Sequence, residues 1–311
     1  MRKSYIKDVA SYVPENRISN SEIENKIKVN GLHMEHGILQ RLFGSKDRYF
    51  ANEKTNVSDL ATKAGQVIIS RTNEKIDLLI FAASSSDLIE PATANIIQEN
   101  LGLHCPVMDI KNACNSLTTA IQTASAFIES SMYNNILIVN GEKLSQVINF
   151  EPRDSNHLTE CLAGYSLGDA GAAVLMSSKG GSHVEFQKAT SWGEYWHFCT
   201  VAGGGSQSFR NPNSYYFEGK TIGMKDAFEN KALPFAQKIL SQSDWEIEDI
   251  DCYITHQVSH NLVNYTAKVL GIPQEKCINV FELYGNTAAA SIPLAINYAI
   301  ENGRLKKGDK L

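Results

Sequence analysis

Residues 105–131 and 277–303 read as two copies of one unit, and an internal duplication restricts a chain to folds whose two halves resemble each other. The first copy runs Cys105-Pro106-Val107-Met108-Asp109-Ile110-Lys111-Asn112-Ala113-Cys114 into a helix of small residues. The second runs Cys277-Ile278-Asn279-Val280-Phe281-Glu282-Leu283-Tyr284-Gly285-Asn286 into another. Upstream, Leu101-Gly102-Leu103 answers Leu270-Gly271-Ile272. Cys114 stands where the second copy has Asn286. A doubled fold with a thiol in one half and an amide in the other points to one active site near the pseudo-twofold centre.

Around the repeat, short apolar runs alternate with longer amphipathic stretches, the pattern of an α/β protein. Strands are expected at 77–83, 107–110, 135–140, 170–176 and 250–255. Helices are expected at 91–101, opened by Pro91, and at 115–130, 225–241 (despite Pro234), 261–270 and 291–302. The glycine-, serine- and asparagine-rich stretch 202–220 reads as a long loop. Ser177-Ser178-Lys179-Gly180-Gly181 breaks the pattern, which divides the chain into halves 1–178 and 179–311. A net charge of −5 gives no reason to expect nucleic acid as a partner. No apolar run approaches the ~20 residues of a membrane helix, and the basic start Met1-Arg2-Lys3 lacks the apolar segment of a signal peptide. A cytoplasmic protein with reduced thiols is therefore expected. The six cysteines have no zinc spacing. His157 and Cys161 sit four apart without two further ligands, so no metal is expected.

Three polar residues fall at strand-to-helix turns. Backbone N–H groups at a helix start favour an anion, so Cys114 is placed to be a nucleophilic thiolate, although a packed core thiol fits the same position. His256 ends the strand Cys252-Tyr253-Ile254-Thr255, where sites gather in α/β folds, and serves there as base or donor or simply bonds to the backbone. Asn286 suits an N-cap as well as a donor site. The other five cysteines read as packing residues.

Taken together, Asp109-Ile110-Lys111-Asn112-Ala113-Cys114, then His256-Gln257, then Tyr284-Gly285-Asn286-Thr287-Ala288-Ala289-Ala290-Ser291-Ile292-Pro293 resemble the Cys–His–Asn signature of the β-ketoacyl-acyl-carrier-protein synthase III family. The motifs stand in order over nearly the whole chain. Leu167-Gly168-Asp169-Ala170-Gly171 resembles the family's Gly-Asp-Gly-Ala-Gly segment, and Arg41 and Arg48 fall where members carry Arg-Thr-Gly-Ile-x-x-Arg. The resemblance implies a thiolase-like fold of duplicated halves in five layers, α-β-α-β-α. It also implies a homodimer, and substrates carried on coenzyme A or an acidic acyl carrier protein, with no metal or redox cofactor. Cys114 would take an acyl group from a thioester. A malonyl or acyl thioester would then condense with it to a β-ketoacyl product, in fatty-acid or specialised (polyketide) synthesis. His256 Nε2 and the Asn286 amide would hold the enolate oxygen.

The chain departs from that pattern in places. Glu90 in Leu88-Ile89-Glu90-Pro91-Ala92 resembles the glutamate of long-chain enzymes that join two acyl thioesters head to head, which acts as base across the dimer. The same Glu also suits a first helical turn. Members using acetyl-CoA carry a tryptophan where this chain has His36-Gly37-Ile38-Leu39, so an adenine platform is not expected. Ser259 and Asn261 replace the Asn and Arg that follow the family's His-Gln. Together with Arg41 they are the candidate carrier contacts, and Phe217 is a candidate tunnel wall. Members continue past Lys307-Gly308-Asp309 through a strand and a glycine-rich turn that completes an oxyanion hole, and that tail is expected to lie beyond this sequence. Three rivals stay open: non-decarboxylative condensation with Glu90 as base, acyl transfer to an oxygen or nitrogen nucleophile, and a non-catalytic partner subunit of another synthase.

Overall fold

The protein is described here by a computed structural model covering residues 2–29 and 34–311. Its centre is a six-stranded sheet: β1 (Tyr5–Tyr12), β2 (Leu78–Ala82), β3 (Val107–Ile110), β4 (Asn135–Glu142), β5 (Ala170–Ser177) and β6 (Ser182–His183), in the spatial order β3-β2-β4-β5-β1-β6. β2 runs parallel to β3 and β4, and the remaining pairs are antiparallel. The strands are apolar without alternation because both faces are covered. Leu79, Phe81, Leu137, Val139, Ala173 and Leu175 meet the helices Val57–Arg71 and Thr93–Asn100 on one face. Their neighbours Leu78, Ile80, Ala82, Ile136, Ile138, Val174 and Met176 meet the opposite layer. Gly141 permits the first contact: a Cβ there would lie 1.9 Å from Val57 O.

That opposite layer holds both small-residue helices of the duplication. Ser116–Glu129 contributes Leu117, Ala120, Ala124 and Ile128, and Ser291–Glu301 contributes Ile292 and Ile296, to one apolar cluster. The far side of Ser291–Glu301 (Leu294, Ala295, Ala299) packs on Cys252, Ile278 and Val280. Beyond these segments lie Leu233–Gln242 and His260–Val269, which enclose Ile250, Val263, Ala267 and Ile272. The layers therefore succeed one another as α-β-α-β-α, and the fold is the thiolase-like one expected.

The fourth layer is thinner than the sequence suggests. The strand expected at 250–255 is extended but joins its neighbour only through the bridge Tyr253–Cys277. Tyr253 N donates to Lys276 O (2.8 Å), Ile278 N to Tyr253 O (2.9 Å) and Cys252 N to Lys310 O (3.1 Å). The pairing stops there because the chain turns at Val280 into the short helix Phe281–Tyr284.

Two helices also differ from expectation. The first begins at Thr93 rather than Pro91, because the Asp109 carboxylate accepts from Thr93 N (2.8 Å) and Ala94 N (2.9 Å) and so sets the N-terminus. The expected 225–241 helix is longer and interrupted: α-helix Thr221–Ala227, a π-turn Phe228–Ala232, then Leu233–Gln242. Pro234 offers no N–H and crowds the carbonyl one turn back, and the wider π-turn accommodates both. Residues 182–183, beyond the expected boundary at 178, pair with Tyr5 and Ile6 of β1.

Candidate active site

Cys114 lies between β3 and the helix Ser116–Glu129. Ala113 before it has φ +47°, an uncommon left-handed backbone for a residue with a side chain. Ser116 over-determines the turn. Its hydroxyl accepts from Asn112 N (2.8 Å) and lies within reach of Ala113 O (2.7 Å) and Ala83 O (3.1 Å), tying the turn to the end of β2. The duplication places Gly285 opposite Ala113. Gly285 also has positive φ (+65°), and a Cβ there would meet Ser166 O at 2.4 Å. Both copies thus force a left-handed residue immediately before the polar one.

Asn286 is pinned through its backbone and its oxygen. Its N–H donates to Ser166 O (2.8 Å) and its carbonyl accepts from Gly168 N (2.9 Å). Oδ1 accepts from Ala288 N (2.9 Å), a local turn that spans the positive-φ Ala288. Among the described residues no acceptor meets Nδ2, so the amide N–H₂ is the free end. Arg48 lies beneath: its Cβ is 3.3 Å from where a Gly285 side chain would begin. It is fully buried, and burial pushes its guanidinium down to about 10.

His256 is held by the same loop. Its Nδ1 lies 2.7 Å from Ser291 Oγ, and Gln257 N donates to that oxygen (3.4 Å). The hydroxyl can donate to Nδ1 or accept from it while accepting from Gln257 N, so it fixes the orientation of the ring in either tautomer and turns Nε2 outward. Burial pushes the imidazole down to about 4, so it is neutral near pH 7.

The loop that holds Asn286 and Ser291, the partner of His256, also reaches the Cys114 segment. Ala288–Ala290 packs against the end of β4 and the start of the Cys114 helix. Cys114 shares an apolar cluster with Ala288, and with Leu167, which bridges Asn286. The carboxylate of Glu142, the last residue of β4, opposes the thiol's ionisation, second only to burial. Together these push the thiol up to about 12, with Cys199 a smaller contributor. The expected lowering by the helix N-terminus is outweighed by burial and by this carboxylate.

The outlying candidates separate. Phe217 joins the Cys114 cluster and donates its N–H to Val147 O (2.8 Å). Arg41, on the helix Ile38–Phe43, is exposed and paired with Glu35 at 2.8 Å. The end of that helix abuts the helix of Ser259 and Asn261, since a Cβ at Gly44 would fall 2.5 Å from His260 Cβ. Ser259 is the N-cap there, its Oγ accepting from Leu262 N (3.1 Å), and Asn261 is exposed. Glu90 is exposed on a surface loop with Leu88 and Ile89. Glu142, Ser84, Ser116 and Ser291 were not anticipated. The one local sign of Glu142 was a carboxylate closing an apolar run, Ile136-Leu137-Ile138-Val139-Asn140-Gly141-Glu142. Among the described residues no group of three His, Cys, Asp or Glu is placed to hold a metal ion, and no helix is long and apolar enough to cross a membrane.

Sequence comparison agrees with the geometry. Residues 108–191 match the family described as 3-oxoacyl-[acyl-carrier-protein (ACP)] synthase III, and residues 240–311 match its C-terminal region. The chain is 32% identical over 314 residues to a β-ketoacyl-[acyl-carrier-protein] synthase III of Campylobacter jejuni, covering 99% of this chain and 92% of that protein. It is 30% identical to one of Neisseria gonorrhoeae, covering 100% and 94%. Among solved structures, cerulenin-bound OleA of Xanthomonas campestris superposes with a TM-score of 0.84 at 25% identity, covering 99% of this chain and 91% of that one. FabH of Pseudomonas aeruginosa superposes at 0.85 and 20%, covering 99% and 92%, which speaks for the fold. Similarity of this extent on a thiolase-like fold makes the chain a member of the β-ketoacyl-[acyl-carrier-protein] synthase III family, the acyltransferase-type condensing enzymes of fatty-acid synthesis.

Proposed function

We propose that Cys114 takes an acyl group from a thioester on acyl carrier protein or coenzyme A and condenses it with a malonyl thioester to give a β-ketoacyl product. The observation that carries this reading is the pair of neutral donors held by one loop. The Asn286 amide has its oxygen occupied by Ala288 N, and the neutral His256 imidazole, held at Nδ1 by Ser291, is the second donor in the tautomer that carries its proton on Nε2. In the first step Cys114 Sγ bonds to the acyl carbon, the carrier thiolate leaves, and the thiol proton passes to it. In the second, the malonyl C–C bond breaks, CO₂ departs, and the enolate attacks the acyl carbon. The collapsing intermediate re-forms the Cys114 thiolate, which takes up one proton. Fixed donors at the enolate oxygen stabilise that charge without reorganisation. The steps balance with no metal or redox cofactor.

The carrier would dock over the helix Ile38–Phe43. Its inner residues Ile38, Leu39 and Phe43 pack in the Cys114 cluster, and Arg41 lies outside beside the Ser259–Asn261 turn. Arg41 would meet an acidic carrier by giving up its pairing with Glu35. Incubation with a mixture of acyl thioesters should add one acyl mass to the intact chain, localised to Cys114, and malonyl thioester should then release CO₂. An adduct without CO₂ release would favour transfer to an oxygen or nitrogen nucleophile. The absence of any adduct would favour a non-catalytic subunit.

A second reading has its own support. β3 is an edge strand with one side unpaired, and Leu88 and Ile89 are exposed beside Glu90. A homodimer would cover this edge and bring Glu90 toward the partner's site as the base of a non-decarboxylative condensation. Glu90→Gln chains should then keep the Cys114 adduct but lose turnover. Mixing them with Cys114→Ala chains should restore part of it, because one site in each mixed dimer retains both residues. Full turnover by Glu90→Gln alone would reject this reading.

A further inference from the structure

The ladder of the fourth layer stops one rung short, and the groups of the next rung have another partner. A parallel ladder that begins with Tyr253 N to Lys276 O and Ile278 N to Tyr253 O would continue with Thr255 N to Ile278 O and Val280 N to Thr255 O. Three of those four groups meet the Gln257 carboxamide instead. Its Nε2 donates to Thr255 O (2.7 Å) and Ile278 O (3.4 Å), and its Oε1 accepts from Val280 N (2.9 Å). Gln257, Ile278 and Val280 are buried, where each backbone polar group needs a partner. A carboxamide inserted between two backbones holds them apart where a direct rung would draw them to strand spacing.

The two segments parted here lead to the donors. His256 follows Thr255 directly, and its Nδ1 shares Ser291 Oγ with Gln257 N (2.7 and 3.4 Å). Val280 leads through the short helix Phe281–Tyr284 to Gly285 and Asn286. A second tie crosses the same gap, Asn279 Nδ2 donating to His260 O (3.0 Å). Gln257 itself is 1% exposed, so it meets no substrate.

We propose that Gln257 is a positioning residue for the two enolate donors: its carboxamide stands in for the missing rung and sets how far His256 lies from the segment that carries Asn286. The proposal rests on the condensing reading given above. An apolar side chain of the same length would leave Val280 N and Ile278 O unmet where they are buried, and the segments would shift until both found partners. A shift of ~1 Å at a reacting centre costs about 10²-fold in rate. The Cys114 turn is held separately, by Ser116 Oγ to Asn112 N and Ala83 O, so acylation does not depend on this rung.

The test is single turnover by the full chain. Acylation of Cys114 is read by intact mass, and condensation of the preformed acyl-enzyme with malonyl-coenzyme A is read by CO₂ release. Gln257→Met should acylate as the wild type does and condense about 10²-fold more slowly. Added to His256→Ala and Asn286→Ser together, it should cost little more, because it acts through those donors. An unchanged condensation rate, equal slowing of both steps, or a further loss of the same size on the doubly substituted chain overturns the proposal. If Gln257→Met does not fold, Gln257→Glu decides. Its carboxyl keeps an acceptor for Val280 N and, while protonated, a donor for Thr255 O. Burial and the neighbouring carbonyl oxygens disfavour the charged form. Condensation relative to the wild type should therefore fall, by up to about 10²-fold, as pH rises through the midpoint of this carboxyl, with acylation unaffected. His256, pushed down to about 4 by burial, stays neutral above that pH. A ratio independent of pH overturns the proposal. A wild-type chain that takes up no acyl group defeats the condensing reading and this proposal with it. A wild type that condenses no faster than Gln257→Met defeats the role of Gln257 alone.

Discussion

Chains carrying Cys114→Ala should take up no acyl group and turn over about 10⁴-fold or more slowly, because the covalent intermediate that divides the reaction is gone. The loss should come without a change in melting temperature. Cys114 is only half-buried, and the Ala113 turn is held by Ser116 and the backbone, not by the sulfur. The chain contains its own control. Cys105, Cys161, Cys252 and Cys277 are buried in apolar clusters, whereas Cys199 is exposed. Intact mass before and after acyl thioester treatment checks the result: Cys199→Ser should keep the adduct and Cys114→Ala should not. An adduct that survives Cys114→Ala would move the nucleophile elsewhere and end the condensing reading.

Asn286→Ser should lower kcat by about 10²–10³, equivalent to about 3–4 kcal/mol, while the adduct on Cys114 still forms. Serine is the informative replacement because Asn286 does two jobs. Its Oδ1 accepts from Ala288 N and keeps the positive-φ Ala288 in place, and its Nδ2 is the free donor. A serine hydroxyl can accept from the N–H two residues on, so the turn survives and the amide donor is removed without adding charge. Alanine would remove both functions and aspartate would place an anion against the enolate. Single-turnover measurement with a preformed acyl-enzyme separates the steps: condensation should slow and acylation should not. Equal slowing of both would assign Asn286 to the loop structure alone.

Much of the architecture was legible because it depends on local pattern. The apolar runs that became β2, β4 and β5 admit little but buried strands, and the small-residue helices after Cys114 and Asn286 follow from the repeat itself. The errors fall where a distant group intervenes. Pro91 looked like a helix start, but the carboxylate of Asp109 caps the helix two residues later. The 225–241 helix was interrupted by a π-turn that no periodicity announces. The 250–255 strand lost most of its ladder because its partner turns away at Val280.

The same division runs through the site. The order and spacing of thiol, imidazole and amide were settled by the sequence itself, since the turn that carries each is written in its immediate neighbours. Charge was not. The helix start argued for an easily ionised thiol, yet Cys114 is pushed up to about 12 by burial and by Glu142, while His256 is pushed down to about 4. Ionisation depends on the water excluded and the charges brought near, and both are supplied by segments remote along the chain. Only folding, by closing β4 and the Ala288–Ala290 loop around the thiol, decides which group holds the proton.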